Sequence, residues 1–370
     1  MTVNIKISVR QFTVLVMFYT IGTTILVIPS SLAVDAAQDA WIAAILGWAL
    51  GLLIVGLFLW LGRQFPDMTL IEYNEKVLGK WLGKLVSILF IFFSFIGAAA
   101  VLYYVGNFMT TQVMPDTPIE SFTILFAGIV IMGLRLGLEV IARAAEILFP
   151  WFLLLFFVTT LFLLPEIEIQ KIQPVFEGGI QPIMKGTFTF ASIASLPLVI
   201  LLMIFPAYIN NPKDAEKAFF IGTLLGGVFV IIITFLSISI IGADFSERNM
   251  YPSYALAKKI NVGNFIQRVE ILVAGMWFLT IFFKTILYSF SFLKGLAQIF
   301  GVKDYRPLVL PYGMILVVYS LVVYPNVTYM MDFDSKIWTP YALTIGLLLP
   351  LFILVVGLVR KKITNKLRKK

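Results

Sequence analysis

The sequence predicts an all-α integral membrane protein with ten transmembrane helices, and three observations carry that prediction. Of its 370 residues, 60% are hydrophobic and only 13% are charged, where a soluble domain has about 25% charged. Mean hydropathy is +0.97. Apolar runs of about 20 residues, the length needed to cross a bilayer, recur along the whole chain and leave no room for a soluble domain between them.

Span one, over 11–33, reads VMFYTIGTTILVIP, with Gly22, Thr23 and Thr24 near its centre and Pro29 beyond. No basic-then-apolar signal with a small-residue cleavage site precedes it, so it is expected to be retained. Spans two to five follow at 41–61, 82–111, 119–136 and 144–165. Span six, over 183–208, reads KGTFTFASIASLPLVILLMIFP and places Ser192, Ser195 and Pro197 centrally, with Pro206 beyond. Spans seven to ten occupy 217–242, 264–293, 308–325 and 338–359, and a basic tail fills 360–370. Between spans five and six, PEIEIQKIQPVFEGGIQPIMKG reads as an external segment packed over the protein. Short interfacial helices are expected in 66–80 and 251–263.

Ten spans divide into a 1–165 half and a 183–359 half of one transmembrane domain covering 1–370, and spans one and six open the two halves. Both carry weak helix formers at mid-span, and Pro197 removes a backbone donor and crowds the preceding turn. An inverted repeat whose paired helices break at the midplane is a recurrent transporter plan. Backbone interruptions are therefore expected within 22–25 and 192–197, facing one another.

Charge sets the orientation, because Lys and Arg near span ends stay on the cytoplasmic side. With both termini inside, twenty of the 28 basic residues fall inside and seven outside, and the one left over, Lys284, lies deep inside a span. External acidic residues, among them Asp35, Asp39, Glu177, Asp332 and Asp334, read as ordinary charge asymmetry. The tail RKKITNKLRKK directly follows the last span, where a basic cluster pairs with anionic lipid, so the net charge of +8 does not point to nucleic acid.

With no cysteine and no histidine, thiol nucleophiles, imidazole bases and His/Cys metal sites are excluded. Walker-type and dinucleotide glycine motifs are missing, and no pair of intramembrane acids suits glycoside hydrolysis. A non-enzymatic protein without a cofactor is expected.

Several motifs together resemble the B subunits of bacterial spore germinant receptors, within the amino acid/polyamine/organocation superfamily. They are the glycine-centred break with its following proline, GTTILVIP; the loop LGKWLGK before span three; the run PVFEGGIQPIMKG before span six; and the basic tail. The resemblance covers essentially the whole chain. It implies a ten-helix LeuT-like fold with a 5+5 inverted repeat, a place in the spore inner membrane, and assembly with germinant receptor A and C subunits. It also implies binding of a small germinant, an amino acid in many members. The sequence departs from many members in having Thr24 where they carry a second glycine, and in lacking a Gly-Glu pair in span six, which puts ion coupling in question. An amino acid secondary transporter coupled to protons or sodium is the alternative reading.

Lys284 stands in MWFLTIFFKTILYSFSFL, ten residues before Lys294, or about 15 Å from the inner basic end at 1.5 Å per residue. An ammonium at that depth costs roughly 2.5–3.5 kcal/mol even on the lenient insertion scale, which favours an interior role. Tyr288 follows by four residues on the same face, and Thr285 adjoins it. By analogy with LeuT-like folds, the ammonium is expected to replace a bound cation near Gly22. In span three, Tyr103 and Asn107 share a face. The expected ligand site thus comprises Gly22, Thr23, Thr24, Ser192, Ser195, Tyr103, Asn107, Lys284 and Tyr288. Glu139, Arg143 and Glu146, at helical spacing, read as a local ion-pair ladder.

Overall fold

The computed structural model describes residues 6–259 and 270–368, and helices account for nearly all of it. Span one is two helices, α1 (Val9–Ile21) and α2 (Thr24–Ala36), separated at Gly22 and Thr23. Span two is α3 (Ala40–Gln64), and an interfacial helix α4 (Leu70–Leu78) leads into span three, α5 (Lys80–Phe108). Spans four and five are α6 (Ile119–Leu136) and α7 (Leu138–Leu163). Only Gly137 separates them, at φ +97°, a conformation that a side chain disfavours.

Span six begins as α8 (Ile180–Phe190), widens to a π-turn over Ala191–Ser195 and tightens to 3-10 pairing over Leu196–Met203. The α-helix thus ends at Phe190, just before the expected window of 192–197, and the change from π to 3-10 pairing falls inside it, a change of hydrogen-bond register and not extended unwinding. Pro197, at the start of the 3-10 stretch, has no N–H with which to continue the α pattern. Span seven is α9 (Pro212–Ile241), followed by the short helices α10 (Ala243–Arg248) and α11 (Pro252–Ala257). Residues 260–263 of the expected interfacial stretch, Arg268 and the start of span eight lie outside the described residues. Span eight continues as α12 (Glu270–Phe300), and span nine is α13 (Val309–Val322). Span ten starts earlier than its sequence suggests, as α14 (Val327–Phe333), and runs through α15 (Thr339–Leu343) into α16 (Leu349–Arg368), with π-turns at the junctions. Residues 360–368 of the basic tail thus continue α16.

Among the described residues, eight helical segments are long and apolar enough to cross a membrane, one of them the merged stretch Thr24–Gln64, and α1 and α13 are shorter apolar helices. Divided at Ala37–Asp39, these segments make up the ten spans. Span six is the most enclosed: 83% of its apolar window is buried, against 22% for α7. Leu125, Ile147, Phe157 and Leu161 of α6 and α7 point outward, as a lipid-facing rim requires.

Close approach at the centre depends on small residues. Gly222 and Gly226 of α9 face α1, where an added Cβ would come 2.6 Å from the Thr13 carbonyl and 2.7 Å from Thr20 Cβ; this is the small-xxx-small pattern of membrane helix contacts. At the ends of the bundle, spans one and six are joined directly. Ile7 N–H donates to Tyr208 C=O at 2.8 Å and Asn210 N–H to Ile7 C=O at 3.1 Å. At the opposite end, Asp35 accepts from Thr189 Oγ1 at 2.5 Å and pairs with Lys185 at 2.8 Å. The 164–182 segment is held through Asp39, whose carboxylate accepts from Phe176 N–H at 3.1 and 3.0 Å.

Candidate functional site

The break in span one is capped on its first side by Gly22 N–H donating to Phe18 C=O at 2.9 Å. Beyond it, Pro29 has no N–H for the Ile25 carbonyl four residues earlier. Ser253 of α11 supplies the missing donor, its Oγ lying 2.6 Å from Ile25 O. Helix α11 is thereby pinned to the broken span.

Lys284 lies against the break from α12. It is 2% exposed, its Nζ donates to Thr23 Oγ1 at 2.9 Å, and it lies 5.2 Å from the Tyr19 ring centroid, within cation–π range. Gly22 packs against the stem of this lysine: an added Cβ would come 2.9 Å from Lys284 Cβ and 3.1 Å from Cγ. The space where a side chain at Gly22 would stand is therefore filled by Lys284. Tyr19 OH donates to Pro197 C=O at 3.0 Å, and its ring lies 5.3 Å from that of Tyr288, so the two broken spans and α12 meet at one point.

A cavity of about 40 Å³ opens from this point toward the ends of spans three, nine and ten. A single water needs roughly 10–15 Å³ on that measure, so there is room for several waters or one small solute. Of the nine residues expected from the sequence, Thr23, Lys284 and Tyr288 line it. Gly97, Ala100, Val101 and Tyr104 supply a stripe of α5 at i, i+3, i+4 and i+7. Asp334, Tyr324 and Trp338 close the far side, and Val27 and Ile193 complete an apolar wall. Tyr104 OH donates to Asp334 Oδ2, and Tyr324 OH lies 3.5 Å from Asp334 Oδ1.

Six expected residues sit elsewhere. Gly22 is covered by Lys284, and Thr24 Oγ1 bonds back to Thr20 C=O at 2.8 Å. Ser192 Oγ donates to Thr189 C=O at 2.9 Å, while its carbonyl accepts from Trp338 Nε1 at 3.1 Å, tying span six to span ten. Ser195 faces Gly51 of α3. Tyr103 packs edge-on against the Tyr324 ring at 5.1 Å, because a helix turned 100° per residue brings its neighbour Tyr104 to the cavity instead. Asn107 donates to Tyr251 OH at 2.8 Å beneath α11; burial raises the Tyr251 pKa, and this hydrogen bond opposes the rise.

Two charge assignments also change. Asp334, assigned by sequence to an external loop, is partly buried and lines the cavity, because span ten begins at Val327. Glu146 leaves the local ladder: Arg143 pairs with Glu139 at 2.7 Å, while Glu146 takes Arg10 at 3.2 Å and Gln11 at 3.2 Å from α1. Among the described residues, no group of three or more acidic residues could hold a metal ion.

A family profile described as "Spore germination protein" matches residues 6–328. The chain belongs to that family. Spore germination protein KB of Bacillus subtilis (strain 168) is 30% identical over 365 residues, covering 98% of this chain and 97% of that protein. Two solved structures share the architecture at low identity. Mhp1, a nucleobase-cation-symport-1 family transporter closed on bromovinylhydantoin, matches 92% of this chain and 76% of its own, with a TM-score of 0.68 and 12% identity. MhsT in complex with L-phenylalanine matches 94% and 97%, with a TM-score of 0.63 and 14% identity. The fold of this spore germination protein is therefore the LeuT-like 5+5 arrangement with broken helices one and six.

Proposed function

We propose that this chain is a non-enzymatic subunit of a spore germinant receptor, which binds a small nutrient in the cavity beside the broken span one and signals through A and C partner subunits. The observation that carries the reading is the cavity itself: Thr23, Lys284 and Asp334 bring polar groups of both signs into an otherwise apolar, aromatic-walled space. An amino acid fits that chemistry, and MhsT, with this fold, was solved with L-phenylalanine. A ligand shifts a conformational equilibrium only as far as it prefers one state. Here the preference would arise where Trp338 joins span six to span ten. The 1–165 and 183–359 repeats would be the bodies that move.

In this reading the protein lies in the spore inner membrane with both termini cytoplasmic, and its basic end contacts anionic lipid. Lys284 occupies the place of a coupling cation, so ligand affinity is independent of sodium. The transporter reading is favoured by one observation, that Mhp1, which shares this fold, is a transporter. Proteoliposomes containing this chain alone decide between the two. Binding of a labelled amino acid without gradient-driven accumulation supports the sensor; rapid accumulation under a proton or sodium gradient overturns it.

A further inference from the structure

Lys284 and Asp334 carry opposite charges to one cavity, and among the described residues neither lies within ion-pair distance of a countercharge. Lys284 has only the Thr23 hydroxyl and the Tyr19 ring face, and Asp334 only the hydroxyls of Tyr104 and Tyr324. A desolvated charge satisfied by hydroxyls alone keeps much of its burial cost, and a countercharge offsets part of that cost. Each group also has bonding capacity to spare. An ammonium has three donors, of which Lys284 uses one on Thr23, and a carboxylate has about four lone-pair sites, of which two face tyrosines.

From this arrangement we propose that Asp334 anchors the ammonium of a zwitterionic amino acid whose carboxylate lies on Lys284 and Thr23. The proposal rests on the nutrient-pocket reading above and deepens it by naming the residue that demands a free amine. The apolar wall of Val27, Ala100, Val101 and Ile193 then takes the side chain, and a cavity of about 40 Å³ favours a short one. Recognition is therefore divided: α12 and span one read the carboxylate, span ten reads the amine, and only a solute with both charges joins the two.

The test uses the full chain in lipid nanodiscs, in buffer with N-methyl-D-glucamine replacing sodium so that no small inorganic cation substitutes for the amine. Each of the twenty protein amino acids is titrated by calorimetry. The best binder is then compared with its des-amino analogue, which has the same carboxylate and side chain, such as propionate for alanine. In the parent protein the des-amino analogue binds at least about tenfold more weakly, the loss of one charge-assisted hydrogen bond. In Asp334→Asn the free amino acid weakens at least about tenfold and the des-amino analogue does not. In Lys284→Met both weaken. A des-amino analogue that binds the parent as well as the amino acid overturns the proposal without any variant, so a poorly folding Asp334→Asn leaves it falsifiable. Equal weakening of both ligands by Asp334→Asn also overturns it while leaving the pocket reading intact. If none of the twenty amino acids binds the parent, the pocket reading itself falls, and this inference with it.

Discussion

Replacing Lys284 with methionine separates the cost of the charge from its use. Methionine keeps the unbranched stem that fills the space beside Gly22 and removes the ammonium. Taking a charge out of the membrane interior gains about 2.5–3.5 kcal/mol on the insertion scale. Against this stand the charged hydrogen bond to Thr23, worth about 1.5–3 kcal/mol, and the contact with the Tyr19 ring, worth up to about 2 kcal/mol when desolvated. The terms nearly cancel, so Lys284→Met should change folding stability by no more than about 2 kcal/mol in either direction. The protein should therefore reach the membrane in normal amount and melt within a few degrees of the parent. In the proposed function signalling depends on the charge, and it should fail. The assay is the nutrient-induced fall in optical density of spores carrying the variant, with membrane abundance measured by quantitative immunoblot. A full germination response at normal abundance would refute the assignment of Lys284 to the ligand site. Loss of the protein from the membrane would refute the cancellation and make the lysine part of the packing.

Gly22→Ala should be more damaging to stability than Lys284→Met, because its methyl overlaps the lysine stem; a Tm equal to the parent's, read in detergent, would show that the stem can move aside. In the double variant Gly22→Ala/Lys284→Ala the loss should be partly restored. Ser253→Ala leaves the Ile25 carbonyl, already deprived of a donor by Pro29, without a partner and should cost about 1–3 kcal/mol by thermal melting. Asp39→Ala removes both acceptors of the Phe176 N–H and should speed proteolysis within 164–182 while leaving the Tm of the bundle within about a degree. Glu146→Gln breaks a solvent-exposed contact with Arg10 and should cost no more than about 1 kcal/mol.

The span pattern was legible because a bilayer imposes it: each crossing requires about 20 apolar residues, and these runs survive any detail of packing. The break in span one was legible for a local reason, since Gly22 and the two threonines are poor helix formers beside a proline that strips one carbonyl of its donor. In span six the same kind of evidence located the disturbance but not its form, because a π-turn followed by 3-10 pairing satisfies the backbone without unwinding it. Periodicity alone could not tell which side of a span faces inward. Tyr103 and Asn107 do share a face, yet that face meets Tyr324 and Tyr251, and the cavity takes the adjacent stripe ending at Tyr104. The small residues Gly97 and Ala100 marked that stripe, since an added Cβ at Gly97 would come 2.5 Å from Tyr288.

Asp334 was hidden by a boundary. Counting apolar residues starts span ten at 338, because Asp332, Asp334 and Lys336 interrupt the run. The chain is already helical from Val327, and the π-turn at Asp334–Trp338 carries one more residue per turn than an α-helix. Asp332 and Lys336, four apart, pair with one another at 3.0 Å on the exposed side. Asp334, between them in sequence, is rotated about 200° from Asp332 and so falls on the opposite side, among Tyr104, Tyr324 and Trp338. A charge that helical geometry turns away from its charged neighbours and toward two tyrosines is held there by the cavity. The acidic residue most easily dismissed as loop charge is thus the one placed opposite the intramembrane lysine.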